Sequence, residues 1–468
     1  MKSAKNPHIH RKTRPHNRTV KKLPPHDIHG EILHDDREGW KVLHIYGTPQ
    51  ERGYAHGYLL KPELDVVLDK FAFIVNHEMN VTYKHYLATC KRTISPIVQK
   101  HYPELYQEMQ AIVQGAKVAG LTRKFDLDML IAWNALMSMY EYLHNKSSPP
   151  RHRPGHCSAF IATGDATEDR KIVMAHNTHV DLVSGALFNV CLYMTPHTGH
   201  AFVMQTAPGC VASGTDWFLC DTGIIGCETT IADINYRPQF DRTHHPYFCR
   251  IRQAMQYGTT LTDYEKIMCS HNAGDYACSW LFGDIRTQEI MLCELGFHVS
   301  NVQRTKNGLF YGMNSAMSAD LRALETDDQE FFDMSTPSGA RNYRFQELLY
   351  KKYYGKINVV NAKRVLADHY DTVTQTHDLP SSKTICSHSY DDADPNIANY
   401  PHGCTDGKVV DTRMAKKLQF DARWGPCCGR PFDASHFLRQ HPEYKAWDTV
   451  LVDFPSKKWV TIDIPQRG

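Results

Sequence analysis

The chain has 468 residues, 42% hydrophobic and 22% charged, with 53 Lys and Arg against 51 Asp and Glu for a formal net charge of +2. That near balance excludes a general polyanion binder, so no nucleic-acid partner is expected, and no run reaches the roughly eighteen apolar residues of a membrane helix. Fourteen cysteines run from Cys90 to Cys428 without zinc-ribbon spacing, which predicts buried free thiols, no metal site and no cofactor.

In chain order, residues 1–34 read as a disordered arm with eight Lys or Arg, five His and one acid, Asp27, before residue 31. It offers no apolar signal-peptide core, and a cytoplasmic location is expected. Trp40 to Tyr46 reads as a strand and GTPQERGYAHG as a Gly-bounded turn. Helices then dominate. Pro62 suits a first turn ahead of ELDVVLDKFAFIVNHEM, Pro103 opens a second segment closed by Gly120, and Asp126 caps DLDMLIAWNALMSMYEYL. Residues 35–156 are therefore expected to form a mostly helical segment ahead of a distinct region, 157–468.

HNKSSPPRHRPGH interrupts the pattern, and beyond it the period becomes two. CSAFIAT and KIVMA bracket one turn, ALFNVCLYMT and HAFVMQT another, predicting two hairpins. GIIGCETTI, ACSWLFGD, EIMLCEL, TVLVDFP and KWVTIDI read as further strands, and YFCRIRQAMQY, LTDYEKIMCS and NYRFQELLYKKYY as helices. Strand pairs alternating with helix pairs predict a layered α+β fold.

One cysteine stands where the Pro-rich linker meets the first strand of the first hairpin. A thiol needs a base or a lowered pKa to act as a nucleophile. Cutting the bond between His156 and Cys157 would supply one, because the new α-amine has a reference pKa of about 7.7 and lies within reach of its own sulfur. This is the logic of N-terminal nucleophile hydrolases. Taken alone, Cys157 is also what a small apolar residue opening a strand looks like.

CSAF, MAHNTHVD, TAPGCVASGTDWFL, CETTI and HNAGDYACSW, in that order, resemble the phospholipase B-like family. GCTDGKVVDTRMAKKLQFDARWGPCCGRPFDASHF is similar to its closing segment, and GTPQERGYAHG to the entrance motif of the isopenicillin-N acyltransferase-like peptidases. The resemblance runs from about residue 47 to 437. It implies a four-layer αββα sandwich with a helical N-terminal segment and self-cleavage between His156 and Cys157. It also implies roles by position: His176 and Asn177 beside the nucleophile, Asn272 as an oxyanion donor, Glu228, Thr229 and Thr230 in the pocket wall, and Asp181 holding a pocket group through hydrogen bonds. Read without it, His176 and Asn177 are polar strand residues, and Asn272 is either a helix C-cap or an amide donor to an oxyanion.

The activity so implied is that of a self-processed cysteine acyl hydrolase opening an amide or ester bond of a small acylated substrate, lipids included, through a thioester. The two self-cleaved chains would remain associated. An acyltransferase using an amine acceptor and a catalytically silent binding protein are the alternatives. The sequence departs from the family where His179 replaces an aromatic residue, where ACSW replaces an Asn-rich stretch, and in lacking a secretory leader. A papain-like reading through Cys157, His271 and Asn272 requires the cysteine to open a helix, and a zinc reading of HHPYFC (244–249) lacks closed-site spacing.

Overall fold

A computed structural model describes residues 28–143, 157–392 and 399–464. Most of the basic arm, the Pro-rich linker and His156 lie outside the described residues.

Fifteen strands fall in two sheets among the described residues. The large sheet has the order β1-β2-β5-β6-β7-β8-β9-β10-β11. Its strands are β1 (Gly30–Arg37), β2 (Trp40–Gly47), β5 (Val190–Pro196), β6 (Phe202–Thr206), β7 (Trp217–Cys220), β8 (Ile224–Thr230), β9 (Cys278–Asp284), β10 (Glu289–Leu295) and β11 (Ser300–Thr305). The small sheet runs β12-β3-β4-β13-β14-β15, with β3 (Cys157–Thr163), β4 (Val173–Asp181), β12 (Gly308–Gly312), β13 (His402–Asp411), β14 (Phe420–Trp424) and β15 (Val460–Ile462). All pairings are antiparallel except that of β2 with β5.

The two sheets face each other, with β3 packed on β8 and β9. Ala159, Ile161 and Met174 of the small sheet share one buried core with Ile225 and Leu281 of the large one. Two glycines let the sheets approach. A Cβ on Gly283 would lie 2.9 Å from the Ile161 Cδ1, and one on Gly312 would lie 2.1 Å from the Thr229 Oγ1. Period-two alternation turns the remaining side chains outward. Phe218, Trp280 and Phe282 pack on Tyr264 of the Leu261–Cys269 helix or on one another. Phe160 and Val173, on the far side of the small sheet, bury against Phe345, Leu348 and Val365.

Several expectations need correction. Residues 30–34, assigned to a disordered arm, lie in β1. GTPQERGYAHG is mostly a helix, Pro49–Leu59, because Thr48 and Glu51 form a capping box ahead of Pro at the first turn. Its glycines serve close packing instead of a turn, since a Cβ on Gly57 would sit 1.9 Å from the Ile112 carbonyl oxygen of the Pro103–Val118 helix. That crossing buries Arg52 and Glu108. Glu108 accepts from Arg52 at 2.5 Å and from Arg252 at 3.0 and 2.9 Å. Burial alone would raise its carboxyl, but the two guanidiniums outweigh it and hold the group at about 2.

The segment capped by Asp126 divides into Leu127–Asn134 and Leu136–Leu143, and two helices the periodicity missed, Tyr83–Thr93 and Ser95–His101, precede it. TVLVDFP forms only an isolated bridge between Phe454 and Phe432. The described part of 35–156 is mostly helical, but β2, with β1 ahead of it, completes the large sheet and runs parallel to β5 from Lys41↔Val190 to Gly47↔Pro196. Among the described residues, no helix is long and apolar enough to cross a membrane. All fourteen cysteines are free thiols.

Candidate active site

Cys157 opens β3, so a papain-like helix start is not what the thiol sits on. It pairs with Thr178 of β4, and directly opposed residues of an antiparallel ladder share a face. Cys157, Ala159, His176 and Thr178 therefore face the large sheet, while Ser158 and Asn177 face away. The same register explains why two neighbours in MAHNTHVD have different surroundings.

Cys157 lines a cleft, at its polar end. Ile74 and Met79 from the Lys61–Glu78 helix and its cap, Leu136 and Tyr140 from the Leu136–Leu143 helix, and Phe188 and Ile231 make its walls mainly apolar. Thr178, Asp216 and Glu228 share the polar end with Cys157. Burial pushes the Cys157 thiol well up and Glu228 adds to this, while the His179 backbone N–H and Lys408 pull it down.

The backbone of Cys157 is held at both ends. Its N–H donates to Asn314 Oδ1 at 3.2 Å, and its carbonyl oxygen accepts from Arg341 Nη1 at 2.6 Å. The same guanidinium donates to Asn314 Oδ1 at 2.9 Å and to Ser158 Oγ at 3.2 Å. Two donors on one oxygen orient the amide, leaving Asn314 Nδ2 to donate to Thr230 O at 3.0 Å. Arg341 is buried, which lowers it to about 10, still charged at neutral pH.

Beside this anchor, Glu228 and Asp216 are buried together. Tyr276 donates to Glu228 Oε1 at 2.7 Å, and Tyr247 donates to Asp216 Oδ1 at 2.5 Å. Burial raises both carboxyls, and the Asp216 charge drives Glu228 further up. On the other side Lys408 Nζ donates to Thr178 Oγ1 at 2.7 Å, Gln205 Oε1 at 2.6 Å and Asp406 Oδ1 at 2.6 Å, all in the interior. Thus a titratable network surrounds the thiol from two directions.

Of the residues singled out by sequence, Cys157, Glu228, Thr230 and Asp181 line the cleft. Asp181 also accepts from Ser184 N at 2.8 Å, capping the helix Leu182–Gly185. Thr229 points instead at Gly312. His176 does not line the cleft: its Nε2 lies 3.0 Å from Glu228 O, and burial pushes its imidazole far below the ordinary range, so it stays neutral. Asn177 is on the opposite face, where Nδ2 donates to Leu366 O at 2.9 Å and Ile385 O at 3.1 Å.

Asn272 does not line the cleft either. Its Nδ2 donates to Gly296 O at 2.6 Å and its Oδ1 accepts from Arg250 at 2.9 Å and Gly274 N at 3.0 Å, which commits the amide to a turn. His271 is exposed and its ring contacts Thr243 O. In HHPYFC, His245 contacts Tyr102 and Cys249 is buried within the Tyr247–Tyr257 helix, so these residues do not form a metal knuckle.

Sequence reasoning missed Asn314, Arg341, Asp216 and Tyr276. In the structure Asn314 and Asp216 both adopt positive φ, 79° and 51°, a conformation Asn and Asp tolerate better than most residues.

No family model matches the chain. A curated uncharacterized protein of Archaeoglobus fulgidus is 23% identical over 259 residues, covering 54% of this chain, which thus spans 42% of that relative's length. Among solved structures, a conjugated bile acid hydrolase from Clostridium perfringens is similar at a TM-score of 0.35 and 8% identity, over 57% of this chain and 88% of the other. Penicillin V acylase from Agrobacterium tumefaciens is similar at 0.35 and 11%, over 57% and 83%.

Proposed function

We propose that this protein is an N-terminal nucleophile hydrolase in which Cys157, freed from His156 by self-cleavage, opens an acyl–amide or acyl–ester bond through a thioester. The observation that carries the reading is the double anchoring of Cys157 at the head of β3, with its sulfur in the cleft and its backbone nitrogen on Asn314. Cleavage would turn that nitrogen into an α-amine without moving it from the sulfur's side. Two facing sheets with helices against both outer faces support the αββα sandwich expected for such enzymes.

In the reaction, the neutral α-amine takes the thiol proton and the sulfur adds to the substrate carbonyl. The α-amine then gives that proton to the leaving amine or alcohol as the carbon–nitrogen or carbon–oxygen bond breaks. Water, activated by the same amine, adds to the thioester and releases the acid. Asn314 replaces Asn272 as the amide at the reacting centre, because an Asn has two N–H donors and only one is assigned to Thr230. Arg341 positions Asn314 and fixes the strand end. The apolar walls favour an acyl group with substantial hydrocarbon surface.

Intact-mass analysis tests this directly. The expected result is two associated fragments, the second beginning at Cys157, and hydrolysis of N-acyl amino acids or N-acyl amines. Cys157→Ala is expected to abolish cutting and turnover together. Full turnover by an uncut chain, or by Cys157→Ala, would overturn the proposal.

A further inference from the structure

Outside the cleft, on the far side of the small sheet, two thiols and two imidazoles converge from three separated stretches of the chain. His369 follows the Val359–Leu366 helix, Cys386 and His388 precede a short 3-10 turn at Ser389–Asp391, and Cys428 lies in the turn after β14. One ligand atom from each lies within 4.8 Å of every other. His388 Nε2 is 3.5 Å from Cys386 Sγ and 3.4 Å from Cys428 Sγ. A tetrahedral zinc with Zn–S of about 2.3 Å and Zn–N of about 2.05 Å has N···S edges of about 3.5 Å. Two edges of such a tetrahedron are therefore already in place.

The surroundings are those of metal ligands. His369 Nε2 is buried without a hydrogen-bond partner, while its Nδ1 lies 3.5 Å from Asp378, which Arg430 holds at 3.0 Å. His388 Nδ1 contacts Tyr390 OH at 2.7 Å, leaving Nε2 to face the sulfurs. The Arg430 backbone N–H donates to Cys428 Sγ at 3.3 Å. A carboxylate behind one imidazole, a hydroxyl behind the other and an N–H on a sulfur form an outer shell that orients ligands. Of the nearby thiols, Cys404 donates to Asp406 O, although it also lies against Cys386, and Cys427 donates to Asn177 Oδ1. Two thiolates and two neutral imidazoles cancel a dication's charge, so the loaded group could be buried with no net charge.

We propose that His369, Cys386, His388 and Cys428 form a closed Cys2His2 site for a structural zinc ion. Four protein ligands leave no position for substrate, which assigns the ion to architecture and not to the reaction. Among the described residues between Leu366 and His402, the regular structure is limited to Ser389–Asp391, and a metal there does the work of a missing ladder. Asn177 joins this segment to β4 through Leu366 and Ile385, one position from the partner of Cys157.

The test uses the full-length chain carrying Cys157→Ala, so that neither the nucleophile nor turnover enters the result. Purified without metal-affinity resin, it is expected to hold about one zinc per chain by elemental analysis, and the Cys386→Ser, Cys428→Ser double variant less than about a tenth. Should the double variant not fold, mercurial modification of the otherwise unaltered chain decides, read with a zinc-sensitive dye. Release of about one zinc as thiols are blocked supports the site. A chain refolded in zinc that holds less than about a tenth, zinc retained by the folded double variant, or a Cys386–Cys428 disulfide in freshly isolated protein would each overturn it.

Discussion

Replacing Asn314 by Ala separates the geometry found here from the assignment that the sequence pattern favours. The change removes the acceptor of the Cys157 N–H at 3.2 Å and of Arg341 at 2.9 Å, together with the donor to Thr230 O at 3.0 Å. Two neutral bonds at about 1 kcal/mol each and one charged bond at about 2 kcal/mol give a loss of about 4 kcal/mol, and water entering from the cleft offsets part of it. The activity loss is larger in relative terms. In the mechanism proposed above, an α-amine released from its anchor misplaces the base, with an expected cost of about 100-fold in kcat/KM. Asn272→Ala also costs stability, but its side chain bonds to Gly296, Gly274 and Arg250 away from the cleft, so kcat/KM should stay within about twofold. The assay is hydrolysis of an N-acyl amide series by both variants at a temperature where circular dichroism shows each folded. A normal rate for Asn314→Ala beside a hundredfold loss for Asn272→Ala would refute the reasoning.

Two further variants probe buried charge. Burial and Asp216 hold the Glu228 carboxyl well above its ordinary range, so the folded chain binds a proton that the unfolded chain releases above about pH 4.3. Its contribution is fully present below that value and fades as pH rises toward the folded pKa; Glu228→Gln should therefore raise the melting temperature more at pH 8 than at pH 5. An equal shift at both values by scanning fluorimetry would contradict this. Glu108 has the opposite sign: held at about 2, it contributes stability above about pH 4.3 that is lost as pH falls toward 2. Glu108→Gln should cost about 3–5 kcal/mol at pH 7 in urea unfolding, because Arg52 and Arg252 lose their buried counter-charge, and the deficit should narrow in acid.

Much of the strand pattern was legible because short apolar runs between turn signals mark strands buried on both faces: CSAFIAT, the VCLYMT of ALFNVCLYMT and the CSWLFGD of ACSWLFGD all lie in strands. Alternation also decided a point that proximity in sequence did not. His176 and Asn177 are neighbours in the chain but look to opposite sides of the small sheet, so a motif match could not make both of them partners of Cys157. The Pro49–Leu59 helix was obscured by glycines that usually mark turns and here permit a helix crossing. Asn314 and Arg341 were out of reach for a different reason: they lie 157 and 184 residues from the cysteine they touch, and no local spacing encodes a contact of that range. The ring of His369, Cys386, His388 and Cys428 is hidden likewise, since its three stretches of chain lie 17 to 40 residues apart without a repeating spacing.

The parallel ladder between β2 and β5 has a practical consequence for anyone expressing this protein. A gene shortened to begin at codon 157 would encode the thiol and every polar partner assigned to it, yet the polypeptide would emerge with β5 as a raw margin, its backbone donors and acceptors open to any passing strand. The front of the chain is part of the large sheet, not packaging. Recombinant work should start upstream of Gly30 and let any scission happen after assembly.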